Sequence, residues 1–177
     1  MTTARDRFTQ LYEAYYDPVE RYVRRRVDDS AVRDVVAEVF LTAWRRFNEL
    51  PAEPLPWLYG TARRVLANER RGAQRRVALA GRIAENTGTA SGDHADAVAG
   101  RLAVATAFSR LSGEDAECLR LIGWEELTLR EAAQVLGCSL PAVAMRLHRA
   151  RARLRRELSA TAAGVPARLV PMRGEPS

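Results

Sequence analysis

Apolar residues recur at three- and four-residue steps through most of this chain, the period of a helix with one buried face. Phe8, Leu11, Tyr12, Tyr15, Val19, Tyr22 and Val23 predict a helix over residues 5–27. Val32, Val35, Val36, Val39, Phe40, Ala43, Trp44 and Phe47 predict a second over 30–47, with Ser30 as its cap. Pro51, Pro54 and Pro56 then mark a loop, and a third helix is expected from Trp57 to about Arg71. The pattern lapses over 81–97, where Gly81, Gly88 and Gly92 stand among Asn86, Thr87, Thr89 and Ser91, too polar to bury a core. It resumes as helices over 98–111, 113–124, 128–136 and 140–159. The final stretch, 160–177, holds Gly164, Pro166, Pro171, Gly174 and Pro176 and is read as a disordered tail. No alternation typical of strands occurs. The fold class is therefore all-α: two small helical bundles, over 5–80 and 98–159, joined by a flexible linker over 81–97.

The segment TLREAAQVLGCSLPAVAMRLHRARARLRR, residues 128–156, is the most specific. Thr128 and Glu131 have capping-box spacing. Ala132 and Ala133 are small enough for another helix to cross closely, and Gly137 suits a left-handed helix stop. Ser139 caps the next helix, with Pro141 just inside it, where a missing N–H is tolerated. Leu140, Val143, Leu147, Ala150, Leu154 and Leu158 form one apolar stripe. Arg146, Arg149, Arg151, Arg153, Arg155 and Arg156 occupy the other faces. A helix, a tight turn and a basic second helix make a helix-turn-helix, a device for placing a helix in the DNA major groove. Ala144, Met145, His148 and Arg149 face the bases in this reading, and the arginines neutralise phosphates.

Charge sharpens the picture. The 177 residues carry a net charge of +6, and all 28 basic residues are arginine. Arg63, Arg64, Arg70, Arg71, Arg75, Arg76 and Arg82 form a second basic block, and residues 83–100 contain Glu85, Asp93 and Asp96 but no arginine. Two basic blocks separated by an acidic spacer suggest two nucleic-acid contacts. Cys118 and Cys138, with His94 and His148, have no zinc-site spacing, so no metal is expected. Cys118 reads as a small buried hydrophobe and Cys138 as a turn residue; a redox pair is the lesser alternative. A polar N-terminus carrying Asp6, and the lack of a long apolar run, point to a cytoplasmic protein with no signal peptide or membrane span. No nucleophile–base pair, metal cluster or phosphate-binding glycine loop is visible, so neither catalysis nor a cofactor is expected.

Over residues 5–158 the chain resembles a bacterial RNA polymerase sigma factor of the extracytoplasmic-function type. DVVAEVFLTAWRRF, residues 34–47, is similar to the family's core-polymerase-binding helix, which implies Asp34, Glu38 and Arg45 as contacts; relatives often have glutamine at Ala37. PWLYGTARRVLANERRGAQRR, residues 56–76, resembles the segment that captures an unpaired base of the −10 promoter element. The resemblance implies Tyr59, Arg63, Arg64, Asn68, Arg70, Arg71 and Arg75 as −10 contacts, with Tyr59 partly exposed. Trp57 is either a stacking platform for the extruded base or an aromatic plug, the second fitting better. Arg64 replaces a common asparagine and can donate but not accept hydrogen bonds, which alters base preference. The helix-turn-helix would read the −35 element through Ser139, Ala144, Met145, His148, Arg149 and Arg151. Relatives commonly have a basic residue at Ala144, so an unusual −35 sequence is expected. The implied partners are core RNA polymerase, promoter DNA and an anti-sigma factor. The alternative is a stand-alone helix-turn-helix regulator, which would need a dimer to read two half-sites.

Overall fold

The computed structural model describes residues 3–80 and 95–163, all in helices and their connections. α1 (Ala4–Arg24), α2 (Asp29–Arg45), a 3-10 turn (Phe47–Glu49) and α3 (Leu55–Ala80) form the first bundle. α4 (Ala95–Ser109), α5 (Gly113–Gly123), α6 (Leu129–Leu136) and α7 (Leu140–Ala163) form the second. No strand occurs among the described residues, and no helix there is long and apolar enough to cross a membrane. Of the expected linker, 95–97 belong to α4 and 81–94 lie outside the described residues, as does the tail beyond Ala163.

Local chemistry explains the boundaries. Thr3 and Asp6 form a capping box at the start of α1, and the hydrogen bonds from Thr3 hold the Asp6 carboxyl below the usual carboxylate range. The expected Ser30 cap is corrected: α2 begins at Asp29 behind Asp28, which makes no side-chain capping bond. Two carboxylates at the positive end of the helix dipole favour that earlier start. α3 starts where Leu58 N–H donates to the Pro54 carbonyl at 2.9 Å, with Pro56 in the first turn. It continues nine residues beyond the expected end at Arg71, because the tolerated Gly72 is followed by good helix formers.

Val19, Tyr22, Val23, Val35, Val39, Phe40, Leu58 and Leu66 fill the first bundle, and Cys118, Leu121, Ala132, Val135, Val143 and Leu147 the second. Leu129 and Leu140 are exposed rather than buried, since each opens a helix at the rim of the bundle. Trp44, expected to pack the first bundle, is 46% exposed and meets Phe8 edge-on at 4.9 Å.

The two sets of buried residues are continuous. α3 crosses α6 closely enough that a Cβ at Gly60 would sit 3.7 Å from the Val135 Cα. A glycine at this crossing allows the helix backbones to approach.

Candidate nucleic-acid and polymerase interface

The helix-turn-helix is assembled as its chemistry requires. Thr128 Oγ1 accepts from the Glu131 N–H at 3.3 Å, and Glu131 Oε2 accepts from the Thr128 N–H at 2.7 Å. The Thr128 hydroxyl, donating to Glu131 Oε2 at 2.6 Å, and then the Thr128 N–H hold the Glu131 carboxyl below its ordinary range. Gly137 takes φ +66°, and the Cys138 N–H returns to the Ala133 carbonyl at 3.1 Å. That return satisfies a carbonyl left open at the helix end. The Ala142 N–H lies 3.4 Å from Ser139 Oγ, so Ser139 caps α7.

Val143, Leu147 and Ala150 face the core, which turns Ala144, Met145, His148 and Arg149 outward; Met145 is 63% exposed. Ser139 and Arg151 are also exposed. Arg146 and Arg153, read as phosphate ligands, instead pair with Glu114 at 2.7 Å and Asp115 at 3.0 Å, bracing α7 against α5. Their carboxylate partners are distant in sequence, so α7 alone could not reveal the pairing. Arg149, Arg151, Arg155 and Arg156 remain exposed on α7.

In the first bundle, Asp34 and Glu38 stand one turn apart on α2 and are exposed. They line a cleft of about 690 Å³ whose opposite wall, on α3, carries Arg64 and Asn68. The fold thus brings two expected polymerase contacts and two expected −10 contacts into one cleft. Arg45 is exposed at the end of α2 and does not line it. Arg64 donates to the Gly60 carbonyl at 3.2 Å, and Asn68 accepts from Arg71. Arg63 is half-buried, and Arg70 and Arg71 are exposed; the Arg75 side chain lies outside the described residues.

Tyr59 is a correction. It is 3% exposed, not partly exposed, and stacks on Tyr22 with ring centroids 4.6 Å apart. Burial, with Glu125 nearby, pushes its hydroxyl up to about 12. Trp57 is half-buried and packs against the core, with the Arg46 guanidinium over its ring. That agrees with an aromatic plug.

Sequence reasoning overlooked the seam between the bundles. The Tyr22 hydroxyl donates to Glu117 at 2.8 Å, and Arg26 bridges Glu117 and Glu125, each at 3.0 Å. The run Arg24, Arg25, Arg26 was a visible signal, but its acidic partners lie over ninety residues away.

Residues 11–76 match the model for sigma-70 region 2, and residues 101–154 the model for sigma-70 region 4. The ECF RNA polymerase sigma factor SigL of Mycobacterium tuberculosis is 30% identical over 145 residues, covering 78% of this chain and 81% of SigL. The chain belongs to the ECF RNA polymerase sigma factors. RfaY of Xanthomonas campestris, described as a "Probable RNA polymerase sigma factor", is 33% identical over 139 residues; the match spans 74% of this sigma factor but 35% of RfaY. The fold is similar to that of the sigma factor RpoE of Bartonella quintana, solved with the anti-sigma factor NepR. That likeness has a TM-score of 0.68 at 21% identity and covers 86% of this sigma factor and 96% of RpoE. Region 2 runs from α1 into α3, and region 4 from α4 into α7.

Proposed function

We propose that this sigma factor binds core RNA polymerase through the outer face of α2 and directs initiation at promoters read at two elements. Asp34 and Glu38 meet basic polymerase residues, with Arg45 at the edge of the contact. α7 enters the major groove at −35, where Met145, His148 and Arg149 reach base edges, Ala144 gives apolar contact, and Ser139 and Arg151 hold the backbone. α3 engages the −10 element. Arg63, Arg70, Arg71 and Arg75 grip phosphates, Arg64 and Asn68 donate to bases, and Tyr59 joins once uncovered. Trapping an unstacked base there offsets the few kcal/mol that unstacking costs, so the duplex opens. Phosphodiester chemistry belongs to the polymerase; this chain supplies recognition. The setting is the cytoplasm, and an anti-sigma factor is the expected regulator, as the complex of RpoE with NepR suggests.

The observation carrying this reading is the outward arc of Ala144, Met145, His148 and Arg149 on a helix whose opposite face is buried. The decisive experiment is co-elution with sigma-free core polymerase on size exclusion near physiological salt. A stoichiometric complex is expected from the wild type and its loss from Glu38→Arg. An unchanged complex with Glu38→Arg would refute the α2 assignment. Specific duplex binding by the chain alone, without a polymerase complex, would favour the stand-alone regulator.

A further inference from the structure

Ion pairs run along one flank of α7. Arg146 meets Glu114 at 2.7 Å, Arg153 meets Asp115 at 3.0 Å, and Glu157 meets Arg110 at 3.1 Å. Positions 146, 153 and 157 are seven and four residues apart, so they share one side of the helix over about 16 Å. That side lies between the buried arc of Val143, Leu147 and Ala150 and the exposed arc that carries Met145 and Arg149. The partners come from just after α4 and from the first turn of α5.

The signs of these charges fix a register. Moving α7 by one turn in one direction would set Glu157 against Asp115, and in the other would set Arg153 against Arg110. Either slip brings like charges together. The pairs stabilise the fold little, since the Glu114 side chain is 61% exposed and the Arg153 side chain 53%, where water and salt screen the attraction. Acidic residues in the first turn of α5 also suit its helix dipole, but that local effect requires no arginine on α7. Arg146 stands three residues before Arg149, so the two are neighbours on the helix surface. Without Glu114, the Arg146 guanidinium is free to turn to the side of Arg149, where a phosphate attracts it whatever the base sequence. Arg153 and Arg156 repeat that relation two turns on.

We propose that Glu114 and Asp115 are positioning residues for sequence discrimination. By holding Arg146 and Arg153 they set the roll and register of α7, and they withhold two arginines from sequence-independent phosphate contact. This role rests on the proposed reading of −35 by α7.

The test uses holoenzyme reconstituted from the full chain. Binding is measured across salt concentrations to a fragment that the wild-type holoenzyme selects from random-sequence DNA, and to the same fragment with its −35 segment scrambled. Glu114→Gln should lower the preference for the selected fragment by about tenfold, the size of one good base contact. It should also steepen the salt dependence by about one unit of slope, as one added phosphate contact does. Adding Arg146→Gln to Glu114→Gln should remove the extra slope without restoring the preference. Arg146→Gln alone should lower the preference and leave the slope unchanged; a fall of about one unit means that Arg146 holds a phosphate in the wild type and overturns the proposal. A Glu114→Gln holoenzyme with wild-type preference also overturns it, whatever its slope, because an effect on the helix dipole or on stability alone leaves the preference where it was. Circular dichroism checks folding, and if Glu114→Gln loses helix, Arg146→Gln decides by the outcomes just given. A wild-type holoenzyme that selects no fragment, or that binds both fragments equally, overturns the −35 reading itself and the positioning role with it.

Discussion

The two helices expected to meet DNA are presented differently. α7 is ready: its packing residues lie on one arc and the residues proposed to read bases on the other, and the turn before it is held by a capping box and a left-handed glycine. α3 is not. Tyr59 is buried against Tyr22, Gly60 lies against α6, and Arg64 and Asn68 share a cleft with two carboxylates. The helix-turn-helix owes its shape to interactions close in sequence, whereas the surroundings of α3 come from residues far along the chain. On the proposed function, contacts of α7 at −35 should therefore tolerate changes in domain arrangement, while those of α3 at −10 should depend on them.

Substitutions can break or sharpen this contrast. The largest effect is expected from Tyr22→Ala, which removes a fully buried ring, its stacking on Tyr59 and its bond to Glu117. Loss of a buried aromatic costs about 3–5 kcal/mol, measurable by denaturant unfolding; a loss below 1 kcal/mol would mean the seam is not formed in solution. Next is Gly137→Ala, which places a Cβ at φ +66° and should cost about 1–2 kcal/mol, with melting of the second bundle as the readout. Thr128→Ala should cost about 1 kcal/mol by removing the cap of α6.

The cap also has a pH signature. The Glu131 carboxyl is held low in the folded state, so its stabilisation is fully present above the unfolded pKa and is lost as pH falls through the folded one. Unfolding curves of wild type and Glu131→Gln should differ at neutral pH and converge in acid. The smallest stability change is expected for Arg149→Ala, within about 0.5 kcal/mol because the residue is exposed. In holoenzyme form it should weaken binding to a matched −35 duplex, while the salt dependence falls by about one unit of slope only if Arg149 holds a phosphate. Equal binding would remove α7 from the reading role.

Much of this molecule was legible along the chain. Helical periodicity located seven helices, and Thr128, Glu131 and Gly137 defined the turn, because caps and left-handed glycines act within three or four residues. The outward arc of α7 followed from its apolar stripe, except that Leu140 opens the helix at the rim and stays exposed. Region 2 was harder to read at Tyr59. A tyrosine beside tryptophan and leucine has a helical position but no stated neighbour until Tyr22 of α1 and Glu125 arrive. Arg146 and Arg153 looked like phosphate ligands for the same reason, since Glu114 and Asp115 lie on another helix.

The order of hydrophobic and polar residues was thus enough to set the helices, their caps, the helix-turn-helix and the two basic blocks, all governed by contacts within a turn or two. It could not set which arginines are spent on carboxylates, that Asp34 and Glu38 face Arg64 and Asn68, or that Arg26 reaches across to Glu117 and Glu125. Those pairings join residues tens of positions apart. Sequence periodicity has no term for such distances, and only the packing of α1 and α3 against α5 and α6 brings the charges together.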